Sequence, residues 1–141
     1  MIFTPTESFQ IAGLLVYQDD SNTVTLGRAF CGFPPPTCVG NGIYFDYVEG
    51  GLFTGHYAVT TTVEGEAYLR IERQGDVYTG SVSTDGTNWA LIGTHTIAIT
   101  PTQIGLLAGN GLQLVGEIPA DFDFFTLTDN LLRVYLPLIA R

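Results

Sequence analysis

The feature that most constrains this chain is its punctuation. Short runs of aliphatic, aromatic and β-branched residues are broken by Gly, Asp, Asn and Pro at roughly ten-residue intervals, the signature of a sandwich or barrel. No amphipathic helix is visible. Ile11 to Tyr17 is a continuous apolar run, as expected of a buried central strand, and the turn Asp19-Asp20-Ser21-Asn22 leads into Thr23 to Ala29 as a hairpin. Further runs cover 42–49, 55–62, 67–73 and 77–84, linked by Glu49-Gly50-Gly51, Glu64-Gly65-Glu66 and Gln74-Gly75-Asp76. After a turn at Thr84 to Asn88 come 89–93 and 94–100, a break at Pro101, then 103–108. A turn at Asn110-Gly111 follows, and Asp121 to Thr128 reads as the last core strand. The predicted fold is all-β, an antiparallel two-sheet sandwich over residues 1–130. Residues 131–141 form an apolar tail in which Pro137 forbids a central place in a sheet, leaving an edge strand or a docked segment.

Composition narrows the partners. With 141 residues, 45% hydrophobic, the chain is long enough for one domain with a real core. Its formal charge is -9. Such a surface repels phosphate, which argues against nucleic acid and anionic membrane, and no apolar run reaches the roughly 18 residues of a spanning helix. Cys31 and Cys38 bracket a loop stiffened by Pro34, Pro35 and Pro36 and read most naturally as a disulfide, with reduced thiols as the alternative. Closing so short a loop contributes roughly 2.5 kcal/mol in the chain-entropy model. Zinc needs two further ligands, and neither His56 nor His95 has ligand spacing to a partner. A disulfide implies an extracellular or cell-surface setting. Residues 1–15 lack the pattern of a signal peptide, so the chain is expected to be a mature piece or a module of a longer exported protein.

Alternation assigns faces. Leu69 and Ile71 point one way, joined by Tyr78 and Val82 of the next run; Tyr68, Arg70 and Glu72 point the other way, beside Thr79 and Ser81. That second row offers an aromatic face for a pyranose with a guanidinium and a carboxylate for its hydroxyls, and Tyr44 with Asp46 are candidates to extend it. The competing reading is an ordinary cross-strand Arg-Glu pair beside a half-buried Tyr. Trp89 either caps the core or serves as a sugar-stacking platform.

In order along the chain, Ala12-Gly13-Leu14-Leu15-Val16-Tyr17-Gln18-Asp19-Asp20-Ser21-Asn22 with Val24 to Arg28, then Tyr68 to Arg73, Tyr78-Thr79-Gly80, Ser83 to Trp89, Ile104 to Ala108 and Ala120 to Phe125 resemble concanavalin A-like β-sandwich domains. These include a bacterial domain family of unassigned function and the modules appended to family 43 glycosidases. The resemblance covers residues 8–128 and implies a jelly-roll sandwich. Such domains usually begin with further strands before this hairpin, so the sandwich is expected to lack its first strands or to be completed from elsewhere. The loop between Cys31 and Cys38 falls outside the family pattern.

A glycosidase on this scaffold needs paired carboxylates roughly 5 to 9 Å apart. No alternating acidic motif supplies them, since Glu64 and Glu66 flank a turn glycine and Glu72 has no acidic partner two residues away. No Ser sits in a Gly-x-Ser-x-Gly elbow, and the two His residues are most simply surface or strand residues. Asp19, Asp20 and Asn22, or Asp121 with Asp123, have the oxygen donors that suit a structural Ca2+, although turn formation explains the first group equally. The expected function is a non-catalytic, extracellular module that binds a glycan or cell-surface polysaccharide or serves as an accessory unit. The alternative is a structural or adhesive subunit that self-assembles, as homo-oligomer or filament, by strand addition through its chain ends; a glycoside hydrolase is third.

Overall fold

Asp19 closes the first hairpin by accepting hydrogen bonds from Gln18 Nε2 at 2.9 Å, the Ser21 amide at 2.9 Å and Asn22 Nδ2 at 2.8 Å. The Gln18 and Asn22 donors hold its carboxyl below the usual range. The computed structural model describes residues 1–35, 37–61, 65–110 and 116–128. Its strands are β1 (Gln10–Asp19), β2 (Asn22–Cys31), β3 (Gly40–Glu49), β4 (Leu52–Thr60), β5 (Tyr68–Gln74), β6 (Val77–Ser83), β7 (Ala90–Thr96) and β8 (Gln103–Asn110), with no helix among the described residues.

Two antiparallel sheets result, of order β4-β3-β2-β1-β8 and β5-β6-β7. β1 pairs on both edges, so its apolar run Ile11 to Tyr17 takes the interior place in the larger sheet that the sequence suggests. Ala12, Leu14 and Val16 of β1, Val24 and Leu26 of β2, and Ile43 and Phe45 of β3 form the inner face of the larger sheet. They pack on Leu69, Ile71, Tyr78 and Ile92 of the smaller one. Each Val, Leu, Ile or Phe among them, buried fully, contributes about 1.5–3 kcal/mol of transfer free energy. The opposite face of the larger sheet carries Ile11, Gly13, Leu15, Gly27, Ala29, Tyr44 and Asp46, by strand alternation.

Two expectations are corrected. Asp121 to Thr128 is not a strand: Asp121 makes an isolated bridge to Ile2, and Phe122 and Phe125 pack on the core while Phe124 and Leu127 are exposed. The segment makes bridges at single residues and no continuous ladder, and a spacing of three between Phe122 and Phe125 defeats the alternation the run suggests. The two runs over 89–100 are one strand, β7, followed by a stretch that buries Ile97 and Ile99 without sheet pairing. His95 is a strand residue, as expected, and of the two alternatives it takes the buried one, 5% exposed on β7. The predicted turn at Asn110-Gly111 extends outside the described residues; Glu64 and the tail 131–141 lie outside them altogether.

Candidate functional site

The expected ligand residues divide between two faces of the sandwich. Tyr68, Arg70 and Glu72 project from β5 away from Leu69 and Ile71, whereas Tyr44 and Asp46 project from β3 away from Ile43 and Phe45. Because the core lies between the sheets, Tyr44 and Asp46 do not extend the Tyr68 row.

On the smaller sheet, Arg70 Nε lies 3.3 Å from Glu72 Oε2, and its guanidinium sits 4.2 Å over the Trp89 ring. The pair runs along one strand, not across two. As expected, Ser81 and Thr79 stand opposite Arg70 and Glu72. The Arg70 side chain therefore covers a face of Trp89 on which a sugar ring would stack. Asp85, two residues beyond β6, accepts from the Thr87 and Asn88 amides and from Asn88 Nδ2, so this turn is built by its own side chains. Those hydrogen bonds, Asn88 foremost, hold the Asp85 carboxyl well below the usual range.

The larger sheet presents a cavity of about 610 Å³ on its outer face. Its floor is Ile11 and Ala29, and Phe33, Thr37 and the Cys31–Cys38 disulfide form one wall. The Tyr44 hydroxyl fixes that loop, accepting from the Val39 amide at 3.1 Å and donating to the Gly40 carbonyl at 2.7 Å. Beside the cavity, Gly13 and Gly27 pair across β1 and β2, where a Cβ on Gly13 would run into the Leu26 carbonyl. The outer face is consequently smooth between Leu107 and Tyr44.

Asp46 and His56 stand opposite each other on β3 and β4, and Asp46 Oδ1 lies 2.6 Å from His56 Nδ1. Burial pushes the Asp46 carboxyl up to about 6, against the pull of His56. The Tyr44 and Phe53 rings flank the imidazole at 5.8 and 5.7 Å, and its buried Nε2 has no hydrogen-bond partner. His56, Phe53, Phe33 and Phe9 were not among the expected ligand residues. The Glu49-Gly50-Gly51 turn signals that β4 folds back on β3, but it does not single out His56, whose place opposite Asp46 depends on a register shift between Tyr47 and Val48.

Of the oxygen-donor candidates, Asp19 is engaged by its turn, and Asp121 and Asp123 are exposed, with the Asp121 backbone bridged to Ile2. Among the described residues no three His, Cys, Asp or Glu side chains come together as a metal cluster.

Two antiparallel sheets stacked in this order, without a helix among the described residues, define a concanavalin A-like β-sandwich. The chain belongs to the family described as Beta xylosidase C-terminal Concanavalin A-like domain, whose model matches residues 1–128. No curated protein and no solved structure matches it.

Proposed function

We propose that this chain is a non-catalytic, carbohydrate-binding accessory module of an exported protein. Its ligand face is the outer face of the five-stranded sheet, not the Tyr68 row. The observation that carries the reading is the glycine-paved stretch of that face, where Gly13 pairs with Gly27 and a sugar would lie flat across the sheet, beside the aromatic residues, Asp46 and His56 that line the adjoining cavity. Aromatic rings suit the C–H surface of a sugar, and the carboxylate–imidazole pair suits its hydroxyls. The family, described by its place at the C-terminus of β-xylosidases, supports an appended role. Glycan-array binding of the intact chain tests it. Phe53→Ala and His56→Ala should each weaken binding about tenfold or more, while Tyr68→Ala and Trp89→Ala leave it unchanged. The opposite pattern would return the site to the smaller sheet.

Self-assembly by strand addition is a second reading, favoured by one feature. β4 is an edge strand whose Leu52 and Phe53 are 72% and 63% exposed. Light scattering that returns a 15.2 kDa monomer at high concentration would dismiss it.

A further inference from the structure

The cavity on the larger sheet has too few polar groups for a polyhydroxylated ring to sit inside it. Its exposed wall is almost entirely apolar, so a sugar hydroxyl placed there is desolvated without a partner. One polar atom stands out. Ionised Asp46 only accepts hydrogen bonds, so His56 Nδ1 carries the proton at their 2.6 Å contact. In the neutral imidazole, Nε2 then holds a lone pair, and it is buried without a donor. A matching ligand brings one hydroxyl donor on a flat apolar body.

Two neighbours of the imidazole differ in how they are held. Tyr44 is tied down by both hydrogen bonds of its hydroxyl, whereas Phe53 stands 63% exposed on the edge strand β4. Phe9 and Phe33, in edge contact at 5.7 Å, supply a further aromatic wall.

We propose that this cavity is a phenol-binding site in which an aryl ring packs among Phe9, Phe33 and Tyr44 while its hydroxyl donates to His56 Nε2. The inference rests on the carbohydrate-binding reading only for its source: the ring is carried either by a free phenol or as an aryl substituent of a glycan. Its chemistry stands on the cavity alone. Phe53 is the movable wall, displaced as the hydroxyl reaches the nitrogen.

The test is calorimetric titration of the full chain at pH 7.5 with p-cresol, 4-methylanisole, 4-hydroxyphenyl glucoside and methyl glucoside. We expect p-cresol to bind about tenfold more tightly than 4-methylanisole, which has the same body without the donor. His56→Ala should erase that difference, and His56→Gln, whose amide oxygen also accepts, should restore part of it. Trp89→Ala, on the opposite face, should leave it intact. If 4-hydroxyphenyl glucoside binds more tightly than p-cresol, the ring belongs to a substituted glycan; equal affinity assigns a free phenol and removes support from the glycan reading. Equal binding of p-cresol and 4-methylanisole, or no p-cresol binding at millimolar concentration, overturns the proposal. Methyl glucoside binding without p-cresol binding would overturn it while leaving the carbohydrate reading standing.

Discussion

His95 of β7 donates its Nε2–H to the carbonyl of Phe45 in β3 at 2.9 Å, a hydrogen bond that crosses from the smaller sheet to the larger. A carbonyl only accepts, so the contact assigns the tautomer. The rings of Phe45, Tyr47 and Tyr57 enclose the imidazole at 4.5, 4.8 and 4.9 Å. Burial, as the largest influence, lowers its pKa from 6.5.

That direction sets a pH dependence. A base with a depressed folded pKa contributes stability above its unfolded value and loses it as pH falls through 6.5 towards the folded value. His95→Leu should cost on the order of 1–3 kcal/mol at pH 8 through the lost inter-sheet bond. It should also flatten the fall in stability below pH 6.5. Urea midpoints from pH 5 to 8 measure both, and a parallel decline in the two proteins would refute the assignment.

Asp46 works in the opposite sense. Its folded pKa is raised to about 6 from 3.8, so its contribution is fully present below 3.8 and is lost as pH rises through about 6. Asp46→Asn keeps the shape without the ionisation. It should be more stable than the native chain at pH 7, by an amount on the order of 2–3 kcal/mol at most, and similar to it at pH 4. Denaturation curves at those two pH values decide, with no gain at pH 7 counting against the burial argument.

Gly80 of β6 lies under the Phe45 ring, where a Cβ would stand 2.8 Å from ring atoms. Gly80→Ala therefore overpacks the centre of the core and should cost about 1–3 kcal/mol. Thermal unfolding checks it. A variant as stable as the native chain would mean that Phe45 has room to move.

Tyr78 is fully buried, yet its hydroxyl has no hydrogen-bond partner. Its ring lies 5.3 Å from the Arg73 guanidinium, a contact that phenylalanine also makes. Tyr78→Phe should raise stability by up to about 1 kcal/mol, since a desolvated, unpaired hydroxyl is removed and no contact is lost. A loss of stability would show that the hydroxyl has a partner after all.

Most strands were legible because each needs only local information. Leu69 and Ile71 had to share a face, and Tyr68, Arg70 and Glu72 the other, by the period-two geometry of an extended backbone. Asp121 to Thr128 misled for the same reason: its aromatics alternate, but an alternating segment becomes a strand only where a neighbour pairs with it.

The sequence by itself determined the class of fold and the faces of individual strands, because turn chemistry and side-chain alternation act over a few residues; it made the Cys31–Cys38 bond the natural reading and left reduced thiols open. Only the tertiary structure decided that Tyr44 and Tyr68 look out from opposite sides of one core, and that Asp46 meets His56. Counting back from the Glu49–Leu52 pair at the turn places Gly55 opposite Asp46; a bulge between Tyr47 and Val48 shifts the register by one and brings His56 there instead. A one-residue slip moves every side chain beyond it to the other face, so the chemistry of the cavity hangs on a register that composition and periodicity do not encode.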